Sequence, residues 1–377
     1  VSFVDESRPD DDLVDDLGDD LGDDEEELEG ADLLPPGPEP LSPESARFVD
    51  ELVDKIWEFT LVFSGIAMFP YQEDLGRRII HSVISRDGAT ITGEFSRQSG
   101  KTECISNVAA SLMILLPRLA SMFPEFPPLQ DFKKGLMVGC FAPVEDQVLT
   151  LYTRIVDRLT SEHAEELLED PDIDDVAKPG SKRIKLKKCG SFCAMQTANP
   201  RAKIESKSYH LIFIDESQSV DERVVNKSIS AMGAFYLATM VMTGTPDVVK
   251  GVFYKTIQHN RRQELRRGAK RSHFRYDWRH CARYNKNYAI YVRGEMLRLG
   301  EDSDEFRLNY RLEWLLERGM LVTESRMDEL GDLHMEILPE YWKSPCVAGI
   351  DFARKLDSTV VTVCFVDWDR PDELGLF

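Results

Sequence analysis

The stretch Gly93–Thr102, read Gly-Glu-Phe-Ser-Arg-Gln-Ser-Gly-Lys-Thr, constrains the fold of this chain more than any other. Ahead of it, Ala89, Thr90 and Ile91 sit among β-formers. Behind it, Cys104 to Leu116 reads as an apolar-rich helix that Pro117 is expected to close. The order strand, loop, helix aims backbone N–H groups and a helix N-terminus at one point, where an anion is favoured. In that setting Lys101 would reach the β- and γ-phosphates of a nucleotide, and the Thr102 hydroxyl would ligate Mg²⁺. The full phosphate-loop pattern has Gly five residues before Gly100. Here that residue is Phe95, and Arg97 and Gln98 lie inside the loop. The expected nucleotide-binding set of the loop is Arg97, Gln98, Ser99, Gly100, Lys101 and Thr102. A lone Gly-Lys-Thr also fits an ordinary turn, so the reading rests on its flanks and on the partners that follow.

The second anchor is Tyr209 to Gln218. Leu211, Ile212, Phe213 and Ile214 form a continuous apolar run, as a strand buried on both faces requires. Asp215 and Glu216 follow at its C-terminal end, where ligands bind in open α/β sheets. Two carboxylates there can divide the work: Asp215 holds the Mg²⁺ shell, and Glu216 orients and polarises an attacking water. Leu237 to Met242 reads as another strand, ending in Thr243-Gly244-Thr245-Pro246, a small hydroxyl-bearing turn suited to sensing a γ-phosphate. Upstream, Phe69-Pro70-Tyr71-Gln72 leads into a helix from Glu73 to Ser85, and Gln72 stands 25 residues before Arg97. A Gln amide can both donate to and accept from an adenine edge, so Tyr71 and Gln72 join the candidate site.

Composition matters chiefly through its unevenness. The formal charge is −21, yet residues 1–46 hold 18 of the 67 acidic residues and one of the 46 basic ones. The remainder is near balance, at −4, so the whole-chain charge misleads about partners. Residues 1–46 alternate acid runs with scattered Leu and end in Pro-rich sequence, too polar to offset the entropy of ordering. They read as an acidic disordered tail, either simply solvated or acting as a DNA mimic or docking arm. The seven cysteines have no C-x-x-C spacing, and Cys189 and Cys193 lack a nearby His pair, which reads as reduced thiols rather than a zinc site. No uninterrupted apolar run reaches membrane-spanning length, and no signal peptide opens the chain. The expectation is a protein that is not secreted and has no membrane partner. The missing initiator Met leaves processing open.

The rest of the chain supplies helices and basic patches. Ser45 to Phe63 carries Phe48, Leu52, Ile56, Phe59 and Phe63 at helical spacing. Gly135 to Phe141 reads as a strand and Ala142 to Thr160 as a helix. Lys182 to Ala194 alternates, suggesting a hairpin with one basic face formed by Arg183, Lys185 and Lys187. That face is either solvated or in contact with DNA. A basic run, Arg261 to Arg271, is a solvated helix face or a phosphate contact. Asp304 to Gly319 reads as a helix. Cys346 to Ile350 forms a strand ending at Asp351, and Ser358 to Val366 forms another.

Taken together, Tyr71-Gln72, Arg97-Gln98-Ser99-Gly100-Lys101-Thr102, Ile214-Asp215-Glu216, Thr243-Gly244-Thr245-Pro246, Phe306 to Trp314 and Gly349-Ile350-Asp351 resemble the large subunit of a tailed-virus terminase over about residues 65–377. The Arg-Gln-x-Gly-Lys-Thr form of the loop is the most specific piece. The resemblance implies an α/β fold: a P-loop NTPase of RecA-like type, with a mostly parallel sheet and flanking helices, followed by the first strands of an RNase H-like nuclease domain. The implied divisions are a tail (1–46), the ATPase core (47–255), a helical linker subdomain (256–340) and the start of the nuclease (341–377). The implied activity is ATP-driven translocation of double-stranded DNA into a procapsid, with ATP and Mg²⁺ as cofactors. The implied partners are the portal protein, the small terminase subunit and further copies of the chain in a ring, a pentamer by family likeness. The implied location is the host cytoplasm, transiently on the procapsid. Further implied roles are γ-phosphate contact by Arg97, coupling by Thr243, Gly244 and Thr245, a trans-acting Arg201, and nuclease-metal binding by Asp351. Asp357 would be a helper or a turn acid, while Asp367 and Asp369 would lie in a loop. With one firm carboxylate, these residues are expected to hydrolyse ATP without cutting DNA, whereas a longer product would cut with Mg²⁺ or Mn²⁺. The competing reading is a superfamily 2-type helicase or remodelling ATPase. It needs a second ATPase lobe after residue 250, and no arginine motif for one is found there. A non-enzymatic DNA-binding adaptor would leave Lys101 and Glu216 without purpose.

Overall fold

The computed structural model describes residues 41–162, 164, 173–174, 182–200, 207–266, 268–315, 346–351 and 360–365. Residues 1–40 of the expected tail lie outside the described residues, as do Arg201, Asp357, Asp367 and Asp369, whereas residues 43–46, expected in the tail, open the first helix.

Helix α1 (Pro43–Ser64) starts where the Ser42 hydroxyl accepts from the Ser45 N–H, with Pro43 preset for the first turn. It stops at Gly65, whose φ of 63° allows the left-handed cap. Helix α2 (Pro70–Ser85) follows. It begins earlier than its periodicity suggested, so Tyr71 and Gln72 occupy its first turn. Strand β1 (Thr90–Phe95) then feeds the glycine-lysine loop, and helix α3 (Lys101–Met122) leaves it.

Pro117 does not close α3 as expected; the helix runs through it. Proline removes the donor that would have served the Met113 carbonyl. The Ser191 hydroxyl supplies the replacement, donating to Met113 O at 2.7 Å. Helix α3 is 22 residues long and apolar enough to cross a membrane by length and composition. Its apolar surface is instead packed inside the protein, where it forms the centre of the larger core.

The strands that follow are β2 (Met137–Ala142), β3 (Ile173–Asp174), β4 (Arg183–Leu186), β5 (Phe192–Thr197), β6 (Leu211–Ile214), β7 (Thr239–Gly244) and β8 (His273–Tyr276). Helix α4 (Glu145–Leu159) connects β2 to the hairpin region, and α5 (Val252–Glu264) lies between β7 and β8. One sheet of eight strands takes the order β3-β4-β5-β2-β6-β7-β1-β8. Neighbours from β5 to β8 pair in parallel, and β3 and β4 add an antiparallel edge. The expected mostly parallel sheet is therefore present, with the expected β4–β5 hairpin built into it.

Alternation along the strands divides the core. Leu211 and Phe213 face a cluster with α1 to α4, while Ile212 and Ile214 face one with α5 and residues 220–232. Helices on both faces explain why these strands read as unbroken apolar runs.

Two further expectations change. Segment 256–340 was assigned as a helical linker, yet β8 lies in the main sheet beside β1, from Thr92↔His273 to Phe95↔Tyr276. Helices α6 (Trp278–Tyr284) and α7 (Lys286–Leu299) do follow it. The helix expected from Asp304 is also shorter. It ends after a wide turn at Arg307–Arg311, because Leu312 takes a left-handed φ of 58°. Residues 316–319 lie outside the described residues. Strands β9 (Cys346–Asp351) and β10 (Val360–Phe365) form a separate antiparallel pair, with Asp351 opposite Val360.

Candidate active site

The loop between β1 and α3 turns on two left-handed residues, Gln98 at φ 60° and Gly100 at φ 91°. Gly100 is required twice over: a Cβ there would also lie 2.5 Å from Gln72 Nε2. Side chains hold the loop from outside. Tyr288 OH donates to Arg97 O at 2.9 Å, Tyr71 OH to Ser99 O at 2.8 Å, and Gln72 Nε2 to Gly100 O at 2.9 Å. Across a trans peptide the N–H points opposite to the carbonyl. Anchoring those three carbonyls therefore turns the N–H groups of Gln98, Gly100 and Lys101 away from the anchors, as a cradle for an anion requires. The Arg97 N–H in turn donates to Asn309 O at 2.8 Å, so the segment after α7 braces the loop. The Arg97 and Gln98 side chains are exposed at its crest.

Gln72 has a job besides the one its sequence position suggests. Its Oε1 accepts from the Phe69 N–H at 2.8 Å while its Nε2 holds Gly100 O, and it is 4% exposed. The structure uses this amide as a loop anchor, with one N–H and one lone pair left for any base. Tyr71 is likewise buried, and burial raises its phenol pKa well above the ordinary value, so it stays a neutral donor to the loop.

Across from the loop, β6 delivers Asp215 and Glu216. Parallel pairing of β6 with β7 puts Ile214 opposite Met242, so the next residues of each strand meet at the same edge. Thr243 Oγ1 donates to Asp215 Oδ1 at 2.8 Å, and Thr102 Oγ1 donates to Asp215 Oδ2 at 3.3 Å. Lys101 Nζ lies 3.1 Å from Asp215 Oδ1 and 2.5 Å from Glu216 Oε1. Burial by itself would lower the Lys101 pKa, but the two carboxylates outweigh it and raise the value above normal. Lys101 is therefore a fixed ammonium between two acids. Thr245 sits at the same edge, reached through Gln218.

The remaining candidates lie elsewhere. Arg183, Lys185 and Lys187 are exposed, with Ile184 and Leu186 buried between them, as the alternation predicted. Strand β4 stands five positions from β1, roughly 24 Å at the usual strand spacing. Asp351 ends β9 on the two-stranded sheet.

Sequence reading missed three groups. Gln218 bridges Glu216 and Thr245, and its position two residues after Glu216 was the available signal. Tyr288 and Asn309 brace the loop from far along the chain; Asn309 lies in the Phe306 to Trp314 stretch, but nothing local signals this role for either. Glu94 lies fully buried on β1 and accepts from Trp314 Nε1 at 2.7 Å, a pairing that the Phe306 to Trp314 stretch does not announce.

A mostly parallel sheet with this loop leaving β1, and paired acids ending β6 on the far side of β7, is the arrangement of a phosphate-loop fold. The chain has a large-terminase-like fold. It superposes on the HK97 bacteriophage large terminase at a TM-score of 0.51 and 14% identity, covering 81% of this chain and 61% of that one. It also matches the ATPase domain of the Thermus phage P74-26 large terminase at a TM-score of 0.46 and 16% identity, covering 67% of this chain and 96% of that one. No family model matches the chain, and neither does any curated protein sequence.

Proposed function

We propose that this protein is an ATP hydrolase that drives double-stranded viral DNA into a procapsid, as a large terminase subunit. One observation carries the hydrolase reading: Lys101, Thr102, Asp215, Glu216 and Thr243 form a single bonded cluster at the C-terminal edge of the sheet. A lysine held by two carboxylates beside an anion cradle is poised to leave them for the β- and γ-phosphates.

Thr102 and Asp215 suit Mg²⁺, since both offer hard oxygen donors and few protein ligands leave room for the waters that Mg²⁺ retains. When bound, the ion neutralises charge developing on the β- and γ-oxygens. Freed from Lys101, the Glu216 carboxylate holds the attacking water and takes its proton. Thr243, Gly244 and Thr245 register the γ-phosphate, and Arg97 reaches toward it from the loop crest. Arg201 of a neighbouring copy completes the charge balance in a ring. The portal protein, the small terminase subunit and duplex DNA are the partners of such a motor, and DNA is held through its backbone with steep salt dependence. Asp351, at the end of β9, would supply one carboxylate to a nuclease metal site, where bound divalent ions would stabilise the attacking and leaving oxygens.

The experiment is steady-state ATP turnover with Mg²⁺, with and without duplex DNA. Wild type turns over, and Lys101→Ala does not while remaining folded by circular dichroism. A wild-type protein that never hydrolyses ATP would sink the proposal.

A further inference from the structure

The amide of Gln218 stands between Glu216 and the turn after β7. It lies in the short helical turn Ser217–Ser219 directly after β6. Its Nε2 donates to Glu216 Oε2 at 2.8 Å. Its Oε1 accepts from the Thr245 N–H at 3.3 Å, in the turn after β7. The opposite amide orientation would set two acceptors against each other at Glu216, so only this one works.

The approach is close enough to dictate the neighbouring residue. A Cβ on Gly244 would lie 2.1 Å from Gln218 Oε1 and 3.2 Å from Phe253 Cε1. Glu216 is itself held in a left-handed backbone at φ 51°. Its two carboxylate oxygens are divided, Oε1 to Lys101 and Oε2 to Gln218. Once Lys101 turns to a phosphate, Gln218 is the partner that remains on Glu216.

Resting on the hydrolase reading above, we infer that Gln218 is a positioning residue: it aims the Glu216 carboxylate and ties that aim to the Gly244–Thr245 turn. Movement of the turn is then felt at Glu216 through one rigid amide. The alternative is a bond that merely stabilises the fold.

A double-mutant cycle separates the two. Gln218→Met keeps the length and apolar stem but removes both bonds. Its kcat should fall about 10-fold or more while affinity for a fluorescent ADP analogue stays within about two-fold of wild type. In a Glu216→Gln background the same substitution should cost almost nothing further, because residues acting as a unit are not additive. An unchanged kcat in Gln218→Met, a matching loss of nucleotide affinity, or full additivity with Glu216→Gln overturns the inference. Should Gln218→Met fail to fold, Gly244→Ala displaces the amide without deleting it and must give the same split between kcat and affinity. A wild-type protein without turnover removes the hydrolase reading itself. Wild-type turnover with an indifferent Gln218 removes only this inference.

Discussion

Trp314 Nε1 donates to Glu94 Oε1 at 2.7 Å, joining residues 220 positions apart. Glu94 is fully buried on the strand that feeds the loop, and its other oxygen lies 3.4 Å from His273 Nε2. Trp314 packs edge-on against Tyr254 and near Phe253. The segment after the helical region is thereby pinned to the sheet under the candidate site. Trp314→Phe should destabilise the protein by about 1.5–3 kcal/mol, the range for losing a hydrogen bond to a charged group. Adding Glu94→Gln should recover part of that loss, since an unpaired amide costs less to bury than an unpaired carboxylate. Urea denaturation of both variants decides it. Equal stability of Trp314→Phe and wild type would show that the bond contributes little.

Glu216→Gln should still bind ATP but hydrolyse it about 10²- to 10⁴-fold more slowly, the usual consequence of losing a general base. Lys101 keeps its partner Asp215 in that variant, so nucleotide affinity should hold. Single-turnover hydrolysis with trapped nucleotide reads both quantities. Wild-type rates from Glu216→Gln would mean that another group activates the water.

The basic face of β4 offers a test that leaves the nucleotide site alone. Reversing charge at Arg183, Lys185 and Lys187 should weaken DNA binding and translocation more than basal ATP turnover, because the strand lies far across the sheet from Lys101. The salt dependence of duplex affinity should flatten in the triple variant. If binding and packaging stay as they were, the face is solvated and nothing more.

His210 sets a pH dependence. Burial chiefly, aided by the charge of Arg86, lowers its pKa from the usual 6.5 to about 4. Its Nδ1 accepts from the Met137 N–H at 3.1 Å, which requires the neutral ring. The unfolded chain therefore binds a proton that the folded one refuses between pH 6.5 and 4. Stability is full above pH 6.5 and is lost as pH falls, by about 2 kcal/mol from this group between pH 7 and 5. His210→Gln should flatten that part of the profile in urea titrations at the two pH values. A slope unchanged by the substitution would assign the acid sensitivity to other groups.

Much of the site was legible because its chemistry is local. Gly100, Lys101 and Thr102 follow one another between a strand and a helix, and Asp215 and Glu216 end an unbroken apolar run. Helix and strand periods announce themselves over a few residues, so the basic hairpin and both anchors could be read directly, while the mostly parallel sheet followed from the terminase resemblance. What only the tertiary structure decided are pairings between residues far apart in the chain. Pro117 stays inside α3 because Ser191, brought alongside by the sheet, donates to the stranded Met113 carbonyl. Gln72 anchors the loop because α2 packs its first turn against Gly100. Strand β8 joins the sheet because the β1 edge was open to it. Glu94 tolerates burial because Trp314 reaches it from 220 positions along the chain. A buried polar group must find a partner, and which partner it finds depends on the packing of the whole chain rather than on any window of it.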